Sequence, residues 1–185
     1  MNVITITGYK PNELGIFQMN DKRIHFVKEA IKRRLIPFLE DGVQWILISG
    51  QAGVECWAGE VVLQLREDYN VKLAVIPPFL KQEQRWKEDQ QQLYQYVMSE
   101  ADFVKPLMEK EYQGPHQFRL KNRWLIDKSD ACIMLYEEEK EGSPKFFLSE
   151  VRKVKGTRDY PLYYITSFDL DDVVREMELE GRIPE

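Results

Sequence analysis

A glycine-rich turn between an apolar run and a helical pattern is the strongest chemical signal in the sequence. The turn and the start of the following helix read Ser49, Gly50, Gln51, Ala52, Gly53, Val54 and Glu55. The first amides of a helix lack partners within it and carry a partial positive charge, which suits them to hold a phosphate. The pattern therefore predicts ligand contacts from Ser49, Gly50, Gln51 and Gly53. A tight turn whose glycines serve geometry alone is the alternative.

Glu55 stands in the first turn of the helix that follows this bend. An acidic residue there complements the helix dipole, which is its ordinary role. A carboxylate beside a phosphate site repels a second anion, so a Glu55 that faces a ligand is expected to accept hydrogen bonds from a sugar. The same carboxylate is the candidate base if the protein is an enzyme. The spacing of Gly50 and Gly53 falls short of the dinucleotide-binding fingerprint, and no Gly-Lys-Ser/Thr sequence follows, which excludes a Walker loop.

A second candidate segment begins at Gly8 and Tyr9, after the apolar run Val3–Thr7. About a dozen residues separate this run from a helix whose expected N-cap is Asn20, whereas connections of this kind usually have about 2–6 residues. Gly8 permits a close approach of the backbone to a ligand, and Tyr9 is a candidate for stacking on a ring. An irregular surface loop with no role in binding is the alternative.

Cations and amides are concentrated in a helix predicted from Pro115 to Lys128. Arg119 and Arg123 are four residues apart and share one face, and Asn122 lies three residues after Arg119. Two guanidinium groups on one face favour an anion between them, such as a phosphate or a carboxylate. We therefore predict ligand contacts from Arg119, Asn122 and Arg123. A solvated basic face, or pairing with the acidic run that follows the next strand, is the alternative.

Six short apolar runs predict the elements that position these residues. They are Val3–Thr7, Trp45–Ser49, Lys72–Ile76, Ala131–Tyr136, Leu162–Thr166 and the weaker Phe103–Lys105. Longer helical patterns separate them, and one of these is expected to run from Gln82 to Ser99. Strands separated by helices pair in parallel, and near-continuous apolar strands need cover on both faces. The sequence predicts one α/β domain over residues 1–180, with a mainly parallel sheet of five or six strands between helices, and a tail over 181–185.

The composition narrows the classes of function. The 185 residues are 43% hydrophobic and 12% aromatic, which excludes a disordered chain. The formal net charge of −5 makes nucleic acid an unfavoured partner, because non-specific binding to it depends on a surplus of cations. Two cysteines, Cys56 and Cys132, and two histidines predict neither a disulfide framework nor a metal site. With no signal peptide and no apolar stretch of about 20 residues, we expect a cytoplasmic protein without a membrane anchor.

Four segments carry a resemblance to a known family. They are Ile4–Tyr9, Ile48–Glu55, Ala74–Phe79, and Lys121–Trp124 ahead of Ser129 and Asp130. In these segments the chain resembles the YpsA family of small bacterial proteins, a branch of the SLOG superfamily of Rossmann-like domains. Relatives in that superfamily include the Lonely Guy phosphoribohydrolases, the DprA-type DNA-processing proteins and predicted sensors of nucleotide-derived ligands. The resemblance implies a three-layer Rossmann-like fold with helices on both faces of the sheet.

The resemblance also implies a nucleotide-like pocket closed by Arg119, Asn122 or Arg123. The residues that it implies as the lining are Gly8, Ser49, Gly50, Gly53 and Glu55. The turn from Ser49 to Glu55, with the aromatic and arginine residues around it, leads us to expect the binding or sensing of ADP-ribose, an NAD-like molecule or a nucleoside phosphate, with no required cofactor.

An enzyme that hydrolyses the N-glycosidic bond of a nucleotide is the alternative function. The phosphoribohydrolases carry a Pro-Gly-Gly-x-Gly-Thr segment before a catalytic glutamate. The comparable stretch here, Glu141–Lys145, lacks the double glycine, and the next acidic residue on the helix is Glu150. A regulator that acts through a protein partner, and a homo-oligomer, stay open.

Overall fold

Six strands and six α-helices alternate along the chain in the computed structural model, which describes all residues, 1–185. The strands are β1 (Val3–Gly8), β2 (Trp45–Ile48), β3 (Lys72–Val75), β4 (Phe103–Val104), β5 (Ala131–Leu135) and β6 (Leu162–Ile165). The helices are α1 (Lys22–Glu40), α2 (Val54–Leu65), α3 (Glu88–Glu100), α4 (His116–Asp127), α5 (Pro144–Val154) and α6 (Ser167–Leu179). A short 3₁₀ helix, Pro11–Leu14, lies in the loop after β1. All six predicted strands are present, close to their predicted bounds.

The strands form one parallel sheet in the order β4-β3-β2-β1-β5-β6. β1 lies at the centre, where Thr5 pairs with Leu47 of β2 and with Cys132 of β5. The chain runs from β1 outward to β4 and then crosses back to place β5 and β6 on the other side. Open sheets of this kind bind ligands beyond the carboxyl ends of their strands, near such a reversal. The predicted Rossmann-like fold is confirmed.

Helices cover the sheet in two layers. α1 packs against α2 and α6, and α2 packs against α3, so these four helices form one layer. α4 and α5 pack against each other and form the second layer. Right-handed crossovers explain the placement of α1 to α5, because the connections from β1 to β4 run in one direction along the sheet and those from β4 through β6 run in the other.

The strands are buried because both faces of the sheet are covered. All five residues of β5 are buried, as are the last three of β2. One continuous apolar cluster joins the sheet to both helical layers. α2 is apolar on nearly all sides and buries Trp57 to 1% exposure, as expected of a helix within the core. No helix is both long and apolar enough to cross a lipid bilayer.

Helix α1 begins one residue later than the predicted cap implies. The side chain of Asp21, and not that of Asn20, accepts a hydrogen bond from the Arg23 amide at 2.9 Å. The helix continues beyond Pro37 and ends at Glu40.

Helix α3 is shorter than predicted, since it begins at Glu88 and not at Gln82. Lys87 has an extended backbone, with φ −61° and ψ 151°, which separates the turns of residues 81–86 from the helix. The side chain of Gln82 then donates a hydrogen bond to the carbonyl of Ser49 at 2.8 Å. The segment that contains Gln82 and Trp86 is therefore an irregular wall at the carboxyl ends of the strands.

Candidate functional site

A cavity of about 360 Å³ opens at the carboxyl ends of β1, β2 and β3, against the helices α4 and α5. Its floor is formed by Thr7 and Gly8 at the end of β1 and by Ser49 directly after β2. The cavity lies where open parallel sheets bind ligands, and its volume is typical of a site for a small organic molecule.

One wall of the cavity is cationic. Lys10, Arg119 and Lys121 line it, and none of them takes part in an ion pair with a carboxylate of the protein. None of the 17 lining residues is Asp or Glu. A chain whose formal net charge is −5 therefore concentrates three unpaired cations around one cavity.

Lys121 and Asn122 are the most buried polar residues of this wall. Their exposed fractions are 6% and 5%. Neither side chain is bonded to another part of the protein, and neither is closed off from solvent, so their polar atoms face the cavity. A buried polar group without a partner is costly to fold. The arrangement is explained if a ligand supplies the missing partners.

The register of α4 places Lys121 on its buried face. Gln117, Lys121 and Leu125 follow one another at intervals of four residues, and all three are buried. Burial lowers the pKa of the Lys121 amine below its ordinary value; the charge of Glu55 opposes this shift, and that of Lys10 adds to it. Lys121 was missed as a site residue from the sequence, although its spacing from Leu125 was a usable signal.

Aromatic side chains form the remaining wall and the mouth of the cavity. They are Phe79, Trp86, Phe118, Phe146 and Phe147. Phe79 and Phe118 pack edge to face with ring centroids 5.4 Å apart. Phe118 and Phe146 keep 39% and 59% of their surface exposed. Trp86 packs on Tyr94 and also lines the cavity.

Glu55 lies beneath the floor and does not face the cavity. Its exposed fraction is 1%. Its Oε1 accepts hydrogen bonds from the amide of Ser49 at 2.6 Å and from the hydroxyl of Ser49 at 2.7 Å. Its Oε2 accepts one from the hydroxyl of Thr7 at 3.1 Å. The structure therefore places the Glu55 carboxylate outside the cavity, where it is engaged by the ends of β1 and β2.

The glycine-rich bend is held by close backbone contacts. Gly50 and Gly53 have φ values of 78° and 94°, in the region that favours glycine. A Cβ on Gly53 would lie 2.5 Å from the carbonyl oxygen of Tyr9. The amides of residues 50–53 donate to no acceptor in the protein. Only Ser49 and Gln51 of the bend line the cavity, so Gly50 and Gly53 shape the bend from outside it.

Tyr9 connects the loop after β1 to the loop after β5 through hydrogen bonds and ring packing. It is 1% exposed, and its hydroxyl accepts from the amide of Glu137 at 2.9 Å and contacts the carbonyl of Lys140. Its ring stacks on Tyr136 with centroids 5.9 Å apart. The structure therefore places Tyr9 outside the cavity, where it is unavailable for stacking on a ligand.

The N-terminus of α5 is capped by a side chain from the first loop. The amide and hydroxyl of Ser143 donate to the carboxylate of Glu13 at 2.7 and 2.6 Å, and the Lys10 amide donates to it at 2.8 Å. Burial acts to raise the pKa of Glu13, but these hydrogen bonds outweigh it and leave the pKa below its ordinary value. Glu13 therefore occupies the position at this helix start where an anion would bind.

Arg123 points away from the cavity. Its guanidinium donates to Glu150 at 2.9 Å, and Lys153 pairs with the same carboxylate at 2.9 Å. Burial acts to raise the pKa of Glu150, but hydrogen bonds from these two cations outweigh it and lower the pKa. The acidic partner that the sequence left open for this helix is therefore Glu150 on α5, and not the run after β5.

The structure brings half of the predicted ligand-binding residues together. Those that line the cavity are Gly8, Ser49, Gln51, Arg119 and Asn122. Those that lie outside it are Tyr9, Gly50, Gly53, Glu55 and Arg123. The polar lining residues that were not predicted from the sequence are Thr7, Lys10, Gln82, Lys121 and Ser143.

A second cleft, between α1 and α6, provides a useful contrast. It is larger, at about 540 Å³, but its cations are already paired. Arg34 pairs with Asp169 at 3.1 Å, and Arg33 pairs with Glu176. This cleft therefore has no unpaired charge for a ligand to neutralise.

The strand order and the cavity at the strand ends define a Rossmann-like α/β domain. A profile described as the YspA SLOG family, with the short name YpsA, matches residues 4–170. The chain belongs to this family, as its motifs predicted.

Several bacterial proteins of this family are similar over their whole length. The chain is 50% identical over 177 residues to the UPF0398 protein YpsA of Bacillus subtilis, with 95% of this chain and 98% of the relative covered. It is 48% identical over 180 residues to a UPF0398 protein of Oceanobacillus iheyensis, with 97% of each chain covered.

Two solved structures share the fold at low identity. DNA processing protein A from Helicobacter pylori has a TM-score of 0.56 and 17% identity, with 99% of this chain and 74% of that chain covered. DNA processing protein A (DprA) from Streptococcus pneumoniae has a TM-score of 0.56 and 16% identity, with 98% and 57% covered. At this identity the likeness shows the fold alone.

Proposed function

We propose that the protein binds or senses a phosphate-bearing nucleotide derivative, such as a nucleoside phosphate, ADP-ribose or an NAD-like molecule, in the cavity at the strand ends. The observation that carries this proposal is the lining of the cavity, in which three cations lack any carboxylate partner. Phosphate oxygens satisfy such cations with charge-assisted hydrogen bonds. Lys121 and Asn122 then gain the partners that the protein itself does not supply.

The aromatic wall supports a nucleotide over a simple phosphate. Phe118 and Phe146 expose ring surface at the mouth of the cavity, and Trp86 lies on the wall beside them. Aromatic rings stack on nucleobases and contribute about 1–3 kcal/mol per base. Membership of the SLOG family, and the fold shared with the DNA processing proteins, are consistent with a nucleotide-related role.

Binding accounts for this site better than hydrolysis does. Cleavage of an N-glycosidic bond passes through an oxocarbenium-like state and needs a carboxylate near the reacting carbon. No carboxylate lines the cavity. Glu55 is buried under the floor, and Glu150 is paired outside. We therefore do not assign the alternative function of a phosphoribohydrolase-like enzyme.

A small nucleotide also suits the charge of the chain better than a nucleic-acid strand does. The Helicobacter pylori protein is described as binding single-stranded DNA. Binding along a strand depends on many cations that track successive phosphates. Here the unpaired cations converge on one cavity of a protein whose net charge is −5.

Thermal unfolding and titration calorimetry with a ligand panel test the proposal. The panel contains the four ribonucleoside monophosphates, ADP-ribose, NAD, inorganic phosphate, the four nucleosides and a single-stranded oligonucleotide. A nucleotide present at 100 times its Kd is expected to stabilise the protein by about 2.7 kcal/mol, which corresponds to a rise in Tm of roughly 5–10 °C. The matching nucleoside and inorganic phosphate are each expected to bind more weakly than the nucleotide.

Arg119→Ala is the matched variant for this test, since Arg119 is exposed and lines the cavity without structural partners. Loss of affinity in a fully folded Arg119→Ala protein supports the assignment of the cavity. The proposal is overturned if no nucleotide binds at millimolar concentration, or if only the oligonucleotide binds.

A further inference from the structure

The two hydroxyl groups on the cavity floor share one carboxylate partner. Thr7 and Ser49 both line the cavity, and their hydroxyls reach the carboxylate of Glu55 at 3.1 and 2.7 Å. A carboxylate only accepts hydrogen bonds, so each hydroxyl is the donor in its pair. A hydroxyl has one hydrogen to donate, and both hydrogens are therefore committed beneath the floor.

These two hydrogen bonds determine whether the floor donates or accepts hydrogen bonds. Thr7 and Ser49 are 6% and 1% exposed, and with its hydrogen engaged a hydroxyl oxygen that reaches the cavity can only accept a hydrogen bond from a molecule in it. A phosphate oxygen is itself an acceptor and gains nothing at such a floor. A sugar hydroxyl carries a hydrogen and is a suitable donor. The wall formed by Lys10, Arg119 and Lys121 has the opposite polarity, because it contains only donors.

We propose that Thr7 and Ser49 select the sugar of the bound nucleotide by accepting hydrogen bonds from its ribose hydroxyls, while the phosphate lies against Lys121. The proposal rests on the nucleotide-binding function proposed above. The aromatic mouth receives the base, and the floor receives the sugar that links base and phosphate. The structure thereby assigns a preference for ribose over sugars that lack its hydroxyls.

Glu55 acts in this proposal as a positioning residue. It touches no ligand, but it determines the direction in which the hydroxyl hydrogens of Thr7 and Ser49 point. Glu55→Gln keeps the size of the side chain and replaces one acceptor by a donor amide. One floor hydroxyl must then accept from Gln and turn its own hydrogen elsewhere, which removes the acceptor polarity at that position.

The test compares sugars across matched variants. Calorimetry gives the Kd of each nucleotide from the panel that binds, and of its 2′-deoxy, 3′-deoxy and 2′,3′-dideoxy forms. We expect the wild type to bind the dideoxy form roughly 5- to 100-fold more weakly, because two hydrogen bonds of ordinary strength are lost. The sugar preference is expressed as the ratio of the Kd of the dideoxy form to the Kd of the ribose form. In Thr7→Val and in Ser49→Ala this ratio is expected to fall by roughly 3- to 10-fold. Glu55→Gln should also reduce this ratio.

Thr5→Val is the matched control. Thr5 precedes Thr7 by two residues on β1, is fully buried, and donates its hydroxyl to the carbonyl of Leu47 at 3.0 Å, away from the cavity. Thr5→Val deletes an equivalent hydroxyl outside the cavity, so the preference for the ribose form over the dideoxy form should persist.

The outcomes separate this inference from the proposed function. If the wild type binds the ribose and dideoxy forms equally, the floor assignment is wrong while nucleotide binding stands. If Thr7→Val weakens both forms by the same factor, Thr7 has only a structural role and the inference is again overturned. If no nucleotide binds at all, the proposed function itself fails. Should Glu55→Gln not fold, Thr7→Val and Ser49→Ala still decide the question.

Discussion

Replacing Lys121 by methionine should stabilise the protein while weakening its binding of ligand. Lys121 is 6% exposed and has no partner in the protein. A buried polar group without a partner costs about 1–3 kcal/mol. Because the amine still faces the cavity, we expect the lower end of this range. Lys121→Met, which keeps the length of the side chain, should therefore raise the free energy of unfolding by about 1 kcal/mol.

The effect on binding should have the opposite sign. A hydrogen bond to a charged group contributes about 1.5–3 kcal/mol, so Lys121→Met is expected to weaken nucleotide binding by roughly 10- to 150-fold. The affinity of the wild type for phosphate-bearing ligands should also fall as pH rises through the lowered pKa of Lys121, because the amine then loses its charge. The other charged groups near this amine are Glu55, whose carboxylate favours the protonated amine, and Lys10, whose charge disfavours it.

The pH dependence of stability gives an independent check. The pKa of Lys121 in the folded state lies below its ordinary value of 10.5, so the folded state holds fewer protons than the unfolded state between these two values. Below the folded pKa, the buried charged amine lowers the free energy of unfolding by its full amount. This loss is relieved as pH rises through the folded pKa. The stabilisation by Lys121→Met should therefore be largest below the folded pKa of Lys121 and shrink as pH approaches 10.5.

Urea unfolding followed by tryptophan fluorescence, at pH 7 and at pH 10, measures the stability of both proteins, and calorimetry measures binding. Lys128→Met is the control, because Lys128 is exposed at the end of the same helix and should change neither quantity appreciably. The reasoning is refuted if Lys121→Met is less stable than the wild type at pH 7 and binds nucleotide with unchanged affinity.

Three further predictions concern residues around the cavity. In calorimetry, Arg119→Ala should weaken nucleotide binding roughly 10-fold, whereas Arg123→Ala, which loses only an ion pair outside the cavity, should change it less than about twofold. Gly53→Ala places a Cβ 2.5 Å from a backbone oxygen and should lower the free energy of unfolding, measured in urea, by more than about 2 kcal/mol. In the control Gly156→Ala, the new Cβ has no atom within 4 Å, and the free energy of unfolding should fall by less than about 0.5 kcal/mol. The stability that the Glu13 carboxylate contributes is present above its ordinary pKa of 4.5 and is lost as pH falls through its lowered pKa. Glu13→Gln should therefore show a smaller loss of Tm on acidification than the wild type.

The sheet could be predicted from the sequence because its strands are buried on both faces. Each strand therefore appears as a short apolar run between turn residues, as Ala131–Leu135 does. The start of α3 could not be predicted in the same way. The helical spacing of Trp86 continues into the helix, but the side chain of Gln82 bonds to the far side of the bend at Ser49. Contacts of this kind leave no periodic trace in the sequence.

Residues of the candidate site could be predicted from the sequence where the strand order alone determines their location. Gly8 ends β1 and Ser49 follows β2, and because these strands are adjacent and parallel, the two residues lie at one edge of the sheet. Arg123 and Tyr9 were misplaced because each has a partner elsewhere that the sequence does not reveal. Arg123 turns to Glu150 on the neighbouring helix, and Tyr9 turns to the loop after β5. The direction of a polar side chain depends on the partners that the tertiary structure supplies.

The central place of β1 has a consequence for synthesis on the ribosome. One of its neighbours, β2, begins at Trp45, but the other, β5, begins only at Ala131. At a translation rate of about 5–20 residues per second, roughly 6–25 s separate the emergence of β1 from that of β5. During this interval one edge of β1 has no partner, and an unpaired apolar edge is a template for aggregation. The carboxylate of Asp130, which accepts from the amides of Asn2 and Val3 at 2.7 and 2.9 Å, also arrives only at the end of this interval. The nascent chain is therefore most in need of chaperone protection before Asp130 emerges.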